Sequence, residues 1–137
     1  MKVSKSYPVI AWWSGGVASA VTCKICIDWF GVENVKVVFI DTKNEHLDTY
    51  RFMADCEKWY GCEIETITNN DYENIKDVWY DFLSLNVAKG AICSAELKKK
   101  VRQHYIKIQK FSHQAFGFDM SEMHRAKDML ESNPHLN

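Results

Sequence analysis

Apolar residues along this chain fall into short runs that alternate with helical stripes. Residues 7 to 13, Pro8-Val9-Ile10-Ala11-Trp12-Trp13 after Tyr7, form a short apolar run that stops at Ser14-Gly15-Gly16, which predicts a buried strand. Residues 17 to 30 carry Val17, Ala20, Val21, Ile25, Ile27 and Phe30, a mostly apolar helix with Gly31 as its stop. Residues 35 to 40 are the strongest strand, rich in β-branched side chains and ending at Asp41-Thr42. A second helix is predicted from about residue 47 to 60, closed by Gly61, and a third strand over residues 62 to 68, before Asn69-Asn70-Asp71. Residues 72 to 85 place Ile75, Val78, Trp79 and Phe82 at helical spacing. A loop with Gly90 runs from 86 to 93; Ser94 then resembles an N-cap ahead of a long basic helix. Residues 113 to 118 read as a short fourth strand and 121 to 130 as a closing helix, with Pro134 past its end.

The element order β-α-β-α-β-α-α-β-α implies parallel strands joined by right-handed crossovers. The expected fold is α/β: a three-layer α/β/α sandwich, Rossmann-like, with a mostly parallel sheet in strand order 3-2-1-4. At 137 residues the chain suits a single domain over 1–137, and a hydrophobic fraction of 47% is enough for a core. A formal net charge of -1 leaves no global electrostatic footprint for nucleic acid or for an anionic membrane. No window has the length and apolarity of a membrane span, and no secretory leader pattern precedes the first strand. Five cysteines, an odd number, fit a reduced, cytoplasmic setting.

The chemistry concentrates at Ser14-Gly15-Gly16-Val17-Ala18-Ser19, between the first strand and the first helix. Glycines allow positive φ and close backbone approach, and a helix start offers unsatisfied N–H groups and the positive end of its dipole. Such a turn, at the carboxyl edge of a parallel sheet, suits a phosphate or sulfate. A plain tight turn with no ligand is the competing reading.

The same hexapeptide after a strand resembles the PP-loop, Ser-Gly-Gly-x-Asp-Ser, of the ATP pyrophosphatase and phosphoadenosine phosphosulfate (PAPS) reductase superfamily. Three later blocks resemble it too: Phe39-Ile40-Asp41-Thr42 with Glu45, Asp48 and Thr49; Ala91-Ile92-Cys93-Ser94 through Leu97-Lys98; and Phe116-Gly117-Phe118-Asp119 with Glu122 and Arg125. The similarity is greatest to small PAPS reductase-like proteins of phage and bacterial genomes, where a phage protein would work in the host cytoplasm. The resemblance implies ATP or a related adenine nucleotide as ligand, with Mg²⁺ near Asp41. It implies that amides from Gly15 to Ser19 and the Ser14 and Ser19 hydroxyls hold the anion. Ala11, Trp12, Ile40 and Asp41 would flank the adenosine, and Lys98 and Arg125 would supply charge. Two departures stand out. The family's loop aspartate is Ala18 here, and the chain ends Asn133-Pro134-His135-Leu136-Asn137 without the C-terminal Glu-Cys-Gly-x-His segment that carries the reductase nucleophile.

Other candidates have bland alternatives. Cys23-Lys24-Ile25-Cys26 lies mid-helix on an apolar background and reads as core, as do Cys56 and Cys62. Cys93 precedes a helix start and a basic run, both of which activate a thiol, and an inert thiol is the alternative. Lys98-Lys99-Lys100 with Arg102 reads as a solvated face apart from Lys98. Asp41 is a Mg²⁺ or ribose partner, or a helix cap. His46 and His124 are weak candidates for metal or general base, and of Trp12 and Trp13 one ring is expected in the core with its neighbour on the opposite sheet face. Three functions follow from this reading. One is a PP-loop nucleotide hydrolase or transferase using Lys98, Cys93 and Asp41. The second is a module that binds the nucleotide without turnover, and the third is sulfur transfer through Cys93. A homodimer is a further expectation.

Overall fold

A computed structural model describes residues 2–43, 45–68, 86–87, 90–91 and 98–132, the four residues at 86–87 and 90–91 by backbone alone. Strands β1 (Val9–Trp13), β2 (Val35–Ile40), β3 (Glu65–Ile67) and β6 (His113–Ala115) form a sheet in the order β3-β2-β1-β6. All three pairings are parallel. This is the expected order 3-2-1-4, the fourth predicted strand being β6. The first crossovers are helices α1 (Val17–Phe30) and α2 (Leu47–Tyr60), at the bounds their patterns predict. Among the described residues no helix is long and apolar enough to cross a membrane.

β1 is apolar at every position because it is central and covered on both faces. Its period of two sends Val9, Ala11 and Trp13 towards one core with Val37 and Phe39 of β2, Ala20, Cys23 and Ile27 of α1 and Cys56 of α2. Ile10 and Trp12 face the other core, with Val38 and with Tyr105 of α3 (Lys100–Ile108). Both tryptophans are buried, on opposite faces as their adjacency requires. The sheet thus lies between helical layers, as a three-layer α/β/α domain.

Several boundaries differ from the pattern. The loop expected over 86 to 93 contains two short antiparallel strands, β4 (Asn86–Val87) and β5 (Gly90–Ala91), paired Val87 to Gly90. Their separation by two residues is the commonest hairpin connection, and at two residues per strand no periodicity was available to read. β3 starts only at Glu65, because Cys62 and Glu63 still belong to the chain's exit from α2. β6 ends at Ala115, and Phe116 to Phe118 leave the ladder. The closing helix begins as a 3₁₀ turn (Met120–Glu122) and continues as α4 (Met123–Ser132). Its start is set by Asp119, whose carboxylate accepts from Glu122 N–H at 3.1 Å while the Glu122 side chain reaches back to Asp119 N–H. The helix predicted over 72 to 85, Ser94 and Pro134 lie outside the described residues.

Candidate functional site

The turn after β1 is built from its own backbone and two serines. Gly15 takes φ +87, a left-handed value that side chains disfavour, and a Cβ there would sit 3.0 Å from Thr49 Cγ2. The buried Ser19 hydroxyl donates to the Gly16 carbonyl at 3.0 Å and accepts from the Ser14 amide, also at 3.0 Å. The Ser14 hydroxyl lies 3.0 Å from it as well. Both hydroxyls therefore spend their protons inside the loop, Ser14 on Ser19 and Ser19 on the Gly16 carbonyl, and act by holding its shape, with Ser14 the exposed one of the two. The first helical hydrogen bond of α1 runs from Ala20 N–H to Gly16 O. No side chain caps the helix and no acidic residue occupies its first turn. The amides of Val17, Ala18 and Ser19 thus have neither an intrahelical partner nor a cap, and they stand at the positive end of the helix dipole.

These residues open into a cleft of about 560 Å³ at the carboxyl edge of the sheet. Ser14, Gly16, Val17, Ala18 and Ser19 form one wall; Trp12, Trp13, Phe39 and Ile40 form the floor. Lys98, Arg102 and the segment Phe116–Asp119 with Glu122 and Arg125 complete it. Gly117 allows this closure: a Cβ on it would lie 2.5 Å from Ser19 Cα and 2.6 Å from the Ala18 carbonyl oxygen, so the chain after β6 rests directly on the loop backbone. Trp12 donates through Nε1 to Gln114 Oε1 at 3.0 Å and stacks on Phe116 at 6.5 Å between centroids. Together they make a flat apolar wall. Trp13 Nε1 is buried with no hydrogen-bond partner among the described residues, a donor left over in a residue that lines the cleft.

Charge is unevenly distributed in the cleft. Arg125 pairs with Glu122 and lies over Phe118, so part of its charge is already committed. Glu45 accepts from Thr42 Oγ1 at 2.9 Å, and Ser121 beside Asp119 holds that carboxyl below its usual range. Arg102 is the contrast. Its guanidinium lies 5.3 Å from the Phe116 ring centroid, burial pulls its pKa down, and no carboxylate pairs with it among the described residues. Lys98 sits one helical turn upstream, in a wider π-type turn that leads into α3. Both belong to the basic run read, apart from Lys98, as a solvated face. Arg102 departs from that reading, because an isolated charge run does not tell which of its members turns inwards.

Asp41 follows the end of β2 but does not line the cleft. Its carboxylate accepts from Tyr50 Oη at 3.0 and 3.1 Å and from Lys43 N–H at 2.7 Å, which stabilises Lys43 at φ 59. It is not the cap of α2; that is His46, whose Nδ1 accepts from Asp48 N–H at 3.1 Å. Ala11 is fully buried in the core rather than at the cleft, and His124 is exposed outside it. Among the described residues no cluster of three or more His, Cys, Asp or Glu side chains forms a metal cage. With Asp41 engaged by Tyr50 and Lys43, a Mg²⁺ ion here would depend on phosphate oxygens and water for most of its shell. Cys23, Cys26 and Cys56 are buried and free, and burial pushes the Cys23 thiol up to about 12. The C-x-x-C of α1 is thus packed into the core. Cys93 lies outside the described residues.

An α/β domain with an uncapped, glycine-bent loop at the carboxyl edge of a parallel sheet is of the Rossmann-like class. The family model of the phosphoadenosine phosphosulfate reductase domain matches residues 8–118, and the chain belongs to that family. The match runs from the start of β1 through Phe118; Asp119, Glu122 and Arg125 complete the cleft beyond it. No curated protein matches the chain significantly.

Proposed function

We propose that this protein binds an adenine nucleotide in the cleft, with the phosphate or sulfate tail on the amides of residues 15 to 19. One observation carries the reading. The uncapped first turn of α1 opens into a cleft whose other walls hold Lys98 and Arg102, with no carboxylate partner among the described residues. An anion placed there gains amide hydrogen bonds and relieves the partly desolvated guanidinium, and Arg can grip it through two N–H groups. The Trp12–Phe116 wall offers a flat apolar surface for the base. Ile40 borders the same space. ATP is the reference ligand, and any Mg²⁺ would arrive on its phosphates.

Binding without turnover is favoured over hydrolysis or group transfer by Ala18, which places no carboxylate on the loop. In the enzyme reading Lys98 would supply charge to the leaving phosphate, and a Mg²⁺ near Asp41 would help to neutralise it. In the sulfur-transfer reading Cys93 is the nucleophile. Calorimetry with ATP, AMP and adenosine, with and without Mg²⁺, tests the site. Anionic nucleotides are expected to bind more tightly than adenosine. Arg102→Ala should weaken ATP by roughly tenfold, the scale of a charged hydrogen bond, and leave adenosine unchanged. Absence of heat with every adenylate overturns the reading. Product analysis for AMP and pyrophosphate separates turnover from capture, and Cys93→Ala separates sulfur transfer from both.

A further inference from the structure

Charge is segregated in one stretch of this chain. Residues 98 to 118 hold six of the 17 lysines and arginines and none of the 18 acids. Helix α3 runs through that stretch. Its inner side carries Tyr105, buried on the sheet, with Arg102 and Ile106 half-buried beside it. Its outer side carries Lys99, Gln103 and Lys107, all exposed. Four-residue spacing keeps these three on one stripe, about 12 Å long. Lys110, also exposed, follows just past the helix end. The other helices pair cations with acids one turn away: Lys24 with Asp28 at 3.1 Å, Arg51 with Asp55 at 2.7 Å, and Arg125 with Glu122. Lys99, Lys107 and Lys110 pair with no carboxylate among the described residues. Helix stability does not account for the run either. Lys98 and Lys99 stand at the amino end, where the dipole disfavours a cation, and no acid occupies the first turn.

We infer that this face lies along the phosphate backbone of a nucleic-acid strand, without reading its sequence. Charge complementarity selects the partner. A strand presents one negative charge at every phosphate, and lysines on a stripe meet such a row as point charges, releasing its counterions. The stripe holds no aromatic ring to stack a base and no forked donor to read one, which leaves the backbone as the contact. An anionic membrane fits this face less well. A helix that lies on a bilayer buries an apolar side in it, and the apolar side of α3 is already spent on the sheet. Of the exposed large apolar residues among those described, only Ile108 lies on α3. The net charge of -1 is no obstacle, because the field at a surface follows the charges within a Debye length, about 8–10 Å. Lys99, Lys107 and Lys110 lie outside the cleft, so this inference is independent of the nucleotide reading.

Fluorescence anisotropy tests it, with labelled oligothymidylate and oligouridylate titrated by the full chain at roughly 50 to 200 mM KCl. Both strands are expected to bind, with dissociation constants on the order of 1–100 μM. Each lysine–phosphate contact on a single strand contributes about -0.7 to the slope of log affinity against log salt, so three lysines give about -2. Lys107→Gln alone should flatten that slope by about 0.7. Lys99→Gln, Lys107→Gln and Lys110→Gln together should weaken binding at least tenfold, with an unchanged circular dichroism spectrum because all three side chains are exposed. No anisotropy change at the highest protein concentration overturns the inference. Binding that the triple variant retains in full, or that Arg102→Ala alone removes, places the strand elsewhere and overturns it equally. Polyglutamate that competes as well as the oligonucleotides shows attraction to any acidic chain. Binding to vesicles of phosphatidylserine and phosphatidylcholine in equal parts, with neither oligonucleotide bound, assigns the face to a membrane. Either of those results also defeats the inference.

Discussion

Two residues of the loop region show how much one atom decides. Gly16 and Gly117 border the same cleft, yet a Cβ on Gly16 meets nothing within 4 Å, whereas one on Gly117 would lie 2.5 Å from the Ser19 backbone. Gly117→Ala is therefore expected to destabilise by about 1–3 kcal/mol and to displace the loop, while Gly16→Ala stays within about 1 kcal/mol. Urea unfolding of the two variants checks this, and equal midpoints would sink it. The glycine pair of the loop was legible in the sequence because a strand ran into it and a helix ran out. Gly117 was visible only as part of a motif block, since its constraint comes from a backbone almost a hundred positions away. Arg102 was hidden for a similar reason: four basic residues share one run, and only the placement of Phe116 turns this one inwards.

At the level of elements, the attachment of α3 to the sheet depends on polar chemistry as well as on apolar packing. Tyr105 is buried against Ile10, Trp12 and Val38, and its hydroxyl donates to Glu65 at 2.7 Å, with Lys36 3.6 Å from the same carboxylate. Burial, then Glu65, raises the Tyr105 pKa, so the hydroxyl keeps its proton and the hydrogen bond persists in the ordinary pH range. Tyr105→Phe should cost about 1–2 kcal/mol, the lower part of the range for hydrogen bonds to charge, because Glu65 is partly exposed. Denaturant melts of the single and Glu65→Gln variants check it: the two losses are expected to overlap rather than add. Helices α1 and α2 were legible because glycines close both of them. The β4–β5 hairpin was not, because strands of two residues leave no period to recognise.

Across the whole molecule, the cores place neutral acids where their charged forms are disfavoured. Burial raises the thiols of Cys23 and Cys26 and the phenols of Tyr60 and Tyr105. In the unfolded chain these groups would lose their protons first, from about 9.0 for cysteine. Their contribution to stability is thus complete below that value and is lost as pH rises, for Cys23 between 9.0 and about 12. Each group steepens the loss by about 1.4 kcal/mol per pH unit. Urea midpoints measured from pH 8 to 11 should fall progressively, and Cys23→Ala should flatten the slope; a flat wild-type profile would contradict this. Strand order at the same scale was readable in advance, because alternation of strand and helix leaves few right-handed ways to assemble a parallel sheet. The sequence alone determined the four strands of the main sheet and the helices α1 and α2, the order of that sheet and the position of the glycine-bent loop, since each rests on local periodicity and on glycines next to it in the chain. Only the tertiary structure decided that Ser19 braces the loop, that Asp41 serves Tyr50 and Lys43, and that Arg102 enters the cleft. Those roles depend on which distant side chains arrive alongside, and no local pattern encodes that.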